Sequence, residues 1–214
     1  MMCGVDEAGR GPVLGPMVVA AVAIDDDAPL RRIGVRDSKK LTPIRREELA
    51  AKINEFCTVD YRVISHEEID ARGTKTSLND LEAVVFASLI DRLKPDIVYV
   101  DACDVNEDRF RQMVNGRLSY KPRMVCEHKA DDHYPIVSAA SIIAKTNRDR
   151  IVSEMQSEIG QDIGSGYASD PTTIAFLQKW IKEKGDLPPY TRRSWATAKE
   201  ALSSSKNAKL TDWE

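Results

Sequence analysis

The stretch from Met1 to Ile24 constrains the fold more than any other part of the chain. Val5 stands among small residues and runs directly into Asp6-Glu7-Ala8-Gly9-Arg10-Gly11-Pro12, and Met17 to Ile24 then forms an unbroken apolar run rich in valine and alanine. Two runs of this kind, bounded by turn residues, read as buried strands joined by a glycine-rich connection. The connection is not a dinucleotide-binding turn. That turn needs G-x-G-x-x-G ahead of a helix, whereas Leu14 occupies the third glycine position here and a strand follows. A P-loop is excluded as well, because no Gly-Lys-Ser or Gly-Lys-Thr occurs in the chain. Gly-Arg-Gly-Pro is left as a plain turn or as bare backbone that a ligand can approach closely.

Beyond this pair, strands alternate with helices. Thr42-Pro43 is a helix start with Leu49, Ile53 and Phe56 on one face, and Val59, Tyr61 and Val63 alternate as in a half-buried strand. Ser65 and Glu68 have capping-box spacing. Ser77 caps a longer helix whose Leu78, Leu81, Val85, Leu89 and Leu93 keep helical period up to Pro95. Ile97 to Val100 is apolar on both faces, as a central strand covered by helices would be, and it ends on Asp101. Met124 to Cys126 reads as another strand and about 136–159 as the longest helix, closed by Gly160. Asp170-Pro171 begins a helix that ends near Gly185, and a last one begins near Ser194. The fold class is a mixed α/β sheet flanked by helices, with a helical C-terminal subdomain. We divide it into a catalytic core over 1–160, the helical subdomain over 161–203 and an aperiodic, mobile tail over 204–214.

Composition matters only where it excludes something. With 31 Lys plus Arg against 34 Asp plus Glu, the net charge of -3 rules out a uniformly basic coat. It leaves a local patch possible, and Arg31, Arg32, Arg36, Lys39, Lys40, Arg45 and Arg46 stand against Asp37 alone between positions 31 and 46. The 4 cysteines form no C-x-x-C pair and read as reduced core thiols of a cytoplasmic protein. The apolar run at Met17 is far short of the roughly 18–20 residues that span a bilayer, and charges at Asp6, Glu7 and Arg10 occupy the place of a signal peptide's apolar segment.

Carboxylates carry the chemical signal. Asp6 and Glu7 follow a strand start, Asp101 ends a strand and Asp131 precedes a helix. Acids at strand ends are costly unless compensated, and strand ends along one edge of an α/β sheet form its usual crevice. One such acid alone is explained by a cap or an ion pair; four together suit hard divalent cations. Zinc fits poorly, since His66, His128 and His133 give no H-E-x-x-H and Cys126 and His128 have no second pair. No G-x-S-x-G supports serine catalysis.

The motifs Asp6-Glu7-Ala8-Gly9-Arg10-Gly11-Pro12, Asp37-Ser38-Lys39-Lys40-Leu41, Tyr99-Val100-Asp101, Lys129-Ala130-Asp131 with Ser138-Ala139-Ala140-Ser141, and Gly164-Ser165-Gly166-Tyr167 together resemble ribonuclease HII of the archaeal and eukaryotic catalytic-subunit type. They run in that family's order over about 4–195. The resemblance implies an RNase H-like fold and an endonuclease that cuts the RNA strand of RNA/DNA hybrids and incises 5' to ribonucleotides embedded in duplex DNA, leaving 3'-hydroxyl and 5'-phosphate ends. It implies Asp6, Glu7, Asp101 and Asp131 as catalytic and metal-binding acids for two Mg2+ or Mn2+ ions. Asp131 is preferred to Asp132 because its spacing to Ser138 matches the family pattern, and Glu127 and Asp104 are read as surface bystanders.

Selectivity for a ribonucleotide must come from its 2'-hydroxyl. The resemblance assigns that reading to Gly9, Arg10, Gly11 and Tyr167. Ser38, Lys39 and Lys40 are expected to contact backbone phosphates, and Lys145, Arg148 and Arg193 to extend that track. A monomer without membrane association is expected, and whether a clamp recruits it stays open. Two alternatives remain: a junction resolvase of related fold, and a non-catalytic hybrid-binding subunit, whose signature would be loss of the acids.

Overall fold

The computed structural model describes residues 1–35, 41–73 and 75–211. The expectations placed on Ser38, Lys39 and Lys40 lie outside the described residues. A 5-stranded sheet in the order β3-β2-β1-β4-β5 is built from β1 (Met2–Ala8), β2 (Met17–Ile24), β3 (Thr58–Ile64), β4 (Ile97–Asp101) and β5 (Arg123–Glu127). Strand β1 is antiparallel to β2 and parallel to β4, which is parallel to β5. The apolar run at Met17 is buried along nearly its whole length, as a strand near the sheet centre requires. On edge strand β3 the alternation fails, because Tyr61 and Val63 both remain exposed.

The helices are α1 (Ala28–Ile33), α2 (Pro43–Phe56), α3 (His66–Ala71), α4 (Leu78–Leu93), α5 (Glu107–Asn115), α6 (Ala130–His133), α7 (Pro135–Ile159), α8 (Pro171–Lys184) and α9 (Ala196–Thr211). Their starts follow local chemistry. Thr42 accepts from the Arg45 amide, Ser65 and Ser77 close capping boxes with Glu68 and Asp80, and Asp170 accepts from Thr172. Three helices go beyond the sequence reading, α1, α5 and the short α6, whose first turn holds Asp131 itself, so that this acid lies within a helix and not ahead of one. Helix α1 is a short piece between Pro29 and the left-handed Gly34, and α5 is mostly polar with only Phe110 and Val114 buried. Phe110 packs edge-on against Phe86 of α4, with ring centroids 5.4 Å apart. Helix α9 continues to Thr211, through the segment read as aperiodic.

Two compact units result, and neither is contiguous in sequence. One comprises Met1–Ala8, Val18–Val63 and Thr74–Arg148; the other Gly9–Met17, Ile64–Gly73 and Asp149–Glu214. The first carries the sheet. In the second, backbone pairing recruits the glycine-rich connection. Val13 N–H donates to Gly166 O at 2.8 Å, Gly15 N–H to Tyr190 O at 2.9 Å and Arg192 N–H to Val13 O at 2.8 Å. Val13, Leu14, Met155, Ile163, Phe176, Leu177 and Ile181 form its core. A linear cut at residue 160 therefore differs from the observed partition, because residues 9–17 pair with chain that lies far away in sequence.

Candidate active site

In the sheet unit, the parallel register of β1 and β4 pairs Val5 with Val100, so Asp6 and Asp101 leave neighbouring strands at their carboxyl ends. Asp101 Oδ1 accepts the Ala130 amide at 3.0 Å, which ties α6 to the end of β4. Ser138 Oγ donates to the Asp131 carbonyl. The result is that ligand oxygens of Asp6, Asp101 and Asp131 all lie within 4.8 Å of one another. Asp131 is buried and Asp132 exposed, so only the former joins the group.

Asp6 is 4% exposed. Burial pushes its carboxyl well above the usual carboxylate range, and the charges of Glu7 and Asp101 push the same way; Lys145 and Ser141 oppose them. Converging carboxylate oxygens, those of Asp6 and Asp131 on buried residues and that of Asp101 part-buried, are the donor set of a hard divalent cation, so the residues present fit Mg2+ or Mn2+. The repulsion has a measurable consequence. An acid whose native pKa lies above its ordinary 3.8 holds its proton more tightly when folded, so metal-free stability falls as pH rises from that value through the raised native one. Asp6→Asn keeps the oxygen that accepts the Glu7 amide at 2.7 Å and removes the charge. At pH 7 without divalent ions, this variant should melt above wild type by a few degrees, at roughly 2–4 °C per kcal/mol. Added Mg2+ should raise the wild-type midpoint and close the gap. A variant that melts lower would contradict the repulsion.

Glu7 lies in a second group. Its carboxylate, the buried Glu82 and Cys103 have ligand atoms within 4.8 Å of one another, and Cys103 Sγ donates to Glu7 Oε2 at 3.1 Å. Neither Glu82 nor Cys103 was singled out from the sequence. A signal existed for Glu82, since an acid four positions after Leu78 and three before Val85 sits on the apolar stripe of α4. Asp104 corrects an expectation: it is buried, not a surface bystander. It accepts from Asn79, from the Asn106 amide and from Arg109, and the Arg109 guanidinium first of all holds its carboxyl far below the usual range. Glu127 is part-buried and accepts from Tyr134 Oη at 3.1 Å.

In the second unit, Gly9 has φ +84°, a left-handed conformation that disfavours any side chain. A Cβ placed on Gly11 would lie 3.7 Å from Cε1 of Tyr167, so the tyrosine ring stands beside bare backbone. Tyr167 is held in a turn whose Asp170 accepts from the Ser165 amide and hydroxyl, both at 2.7 Å, and whose Gly166 N–H donates to Thr173 Oγ1 at 3.0 Å.

The outlying basic residues fare differently. Lys145 donates to Ser141 Oγ beside the acids. Arg148 is 5% exposed, which leaves its guanidinium little surface to offer a phosphate. Arg193 pairs with both oxygens of Asp186, at 3.2 and 2.7 Å. All 4 cysteines are free thiols; Cys3 and Cys126 are buried and Cys57 and Cys103 only partly so. Among the described residues no helix is long and apolar enough to cross a membrane.

A family model described as Ribonuclease HII matches residues 3–198. The chain is similar to a ribonuclease HII of Thermococcus sibiricus, 49% identical over 213 residues that cover 95% of this chain and 93% of the relative. Among solved structures it is similar to the ribonuclease H2 of Pyrococcus horikoshii OT3, with TM-score 0.89 and 43% identity over 96% of this chain and 98% of the other. It is also similar to a structure of the PCNA:RNase HII complex from Archaeoglobus fulgidus, with TM-score 0.87 and 44% identity over 94% and 96% of the two chains.

Proposed function

The chain belongs to the ribonuclease HII family, and from that premise we propose how its residues divide the work of hydrolysing the RNA strand of RNA/DNA hybrids and of nicking ribonucleotide-containing DNA. The observation that carries the reading is the convergence of Asp6, Asp101 and Asp131, with Glu7 next to Asp6 in the chain. These four acids are assigned to hold two Mg2+ or Mn2+ ions. Ions bound there supply Lewis-acid stabilisation of the phosphate and a water of lowered pKa. Lys145, tied to Ser141, offsets part of the acids' charge.

Recognition is assigned to the Gly9–Arg10–Gly11 backbone and Tyr167. Amides and a phenol beside a glycine surface suit a ribose 2'-hydroxyl, the group that distinguishes a ribonucleotide from its DNA neighbours. Lys145 and Arg193 are kept as phosphate contacts; Arg148 is dropped on account of its burial. Binding is therefore expected to be independent of base sequence and to weaken with salt. The complex of the Archaeoglobus fulgidus relative with PCNA supports a clamp of that kind as a partner.

The direct test is a DNA duplex with one ribonucleotide, incubated with Mg2+ or Mn2+ and with EDTA. A single cut 5' to the ribonucleotide, absent in EDTA and absent from all-DNA duplex, is expected; metal-independent cleavage would contradict the assignment. In the same assay Tyr167→Ala should lower the rate about 10-fold or more on the single-ribonucleotide duplex, with a smaller loss on a continuous hybrid that offers many registers. An unchanged rate and ratio would remove Tyr167 from the recognition surface.

A further inference from the structure

Arg192 is fully buried, at 0% exposure, although its charge makes burial costly unless every donor is used well. Three of its donors bond one loop. Nε donates to Gly15 O at 2.9 Å, Nη1 to Arg10 O at 2.8 Å and Nη2 to Gly9 O at 2.6 Å. Trp195 adds a fourth hold through Nε1, which donates to Gly11 O at 3.3 Å. The anchor itself is pinned. Asp70 accepts the amides of Arg193 and Ser194 at 2.7 and 3.0 Å, and Arg72 and Arg192 each lie 5.0 Å from the indole centroid of Trp195.

The direction of these bonds matters more than their number. No peptide bond among the described residues is cis. In a trans peptide the carbonyl and the following N–H point in opposite directions. With the carbonyls of Gly9 and Arg10 both drawn to the guanidinium, the N–H groups of Arg10 and Gly11 are aimed away from it. Successive N–H groups facing one way form a ready pair of donors to an electron-rich oxygen. Only a planar fork fixes two neighbouring peptide planes at once; an ammonium is a point donor.

We infer that Arg192 is a positioning residue for ribonucleotide recognition: through the Gly9 and Arg10 carbonyls it sets the direction of the Arg10 and Gly11 amides without touching the substrate. The inference rests on the proposed reading of the Gly9–Gly11 backbone. It adds that selectivity depends on a side chain more than 170 positions away, as the separations of 177, 182 and 183 residues between the bonded groups record.

The test uses the full chain and measures binding of an all-DNA duplex and of the same duplex with one ribonucleotide, in EDTA so that nothing is cut. The readout is the ratio of the two Kd values, which general loss of affinity would not move. Arg192→Lys keeps the charge and should shrink the ratio about 10-fold or to unity, while affinity for all-DNA duplex is kept. The loss should not add to that of Gly11→Ala in the double variant, because both act on the same amides. If Gly11→Ala collapses the ratio and Arg192→Lys does not, the positioning role is wrong and the loop reading stands. If Gly11→Ala also leaves the ratio unchanged, the loop reading fails and takes this inference with it. Near-UV circular dichroism verifies folding. Should Arg192→Lys not fold, Arg192→Gln, whose side-chain amide cannot span both carbonyls as the guanidinium fork does, takes its place under the same criterion.

Discussion

Asp101→Asn should lower Mg2+-dependent cleavage of a single-ribonucleotide duplex about 10³-fold or more and leave the fold intact. The variant retains an oxygen for the Ala130 amide, now 3.0 Å from Oδ1, so the link between β4 and α6 persists. What it loses is a charge. Metal-assisted stabilisation of phosphoryl charge is worth several kcal/mol, and each 1.36 kcal/mol is a factor of ten in rate. Weakening one of three converging carboxylates thus reaches three decades without invoking misfolding. The measurement is kcat/KM across a Mg2+ titration beside a thermal melt. Partial recovery at high Mg2+ is expected, because the remaining acids still attract the ion. Undiminished cleavage at ordinary Mg2+ would sink the assignment of Asp101 and, with it, the acid cluster as the site of chemistry.

The acids were legible because charge at the end of an apolar strand is locally anomalous. Asp101 after Ile97–Val100 shows this in five consecutive letters, and parallel pairing with β1 then brings Asp6 alongside. Helix starts at Thr42, Ser65, Ser77 and Asp170 were legible for the same reason, since a cap and the amide it satisfies are neighbours in sequence. Helix α5 escaped because its buried face is Phe110 and Val114 alone, too thin a stripe to establish a period. Glu82 was readable in principle as an acid on the apolar face of α4, yet only the fold brings it to Glu7 and Cys103. Arg192 gave no local sign at all. Its neighbours Arg193 and Ser194 are partnered by Asp70, and nothing in Tyr190-Thr191-Arg192-Arg193 says which arginine turns inward to the loop at Gly9. Local chemistry is therefore read from spacing, whereas a long-range clamp is read only from coordinates.

Gly4→Ala is the substitution expected to damage the fold most. Gly4 pairs with Val22 on one side and Tyr99 on the other, in the middle of the sheet. A Cβ there would lie 2.3 Å from Ile136 O, 2.4 Å from Ile136 C and 2.6 Å from Val137 N. Those atoms are backbone of the first turn of α7 and cannot rotate aside, so either the helix retreats or the strand bends. Overpacking against a rigid element costs about 3 kcal/mol or more, which at roughly 2–4 °C per kcal/mol lowers the melting midpoint by around 10 °C. Cleavage should fall even well below that midpoint, because the same turn of α7 carries Ser138, whose hydroxyl holds the Asp131 carbonyl. Gly11 provides the contrast. Its added Cβ would meet only the Tyr167 ring at an ordinary contact distance of 3.7 Å, so Gly11→Ala should melt close to wild type and yet lose ribonucleotide selectivity. Two glycines seven positions apart are thus kept bare for different reasons, Gly4 for a helix and Gly11, on the proposed reading, for the ribonucleotide. Equal melting of the two variants would refute that distinction.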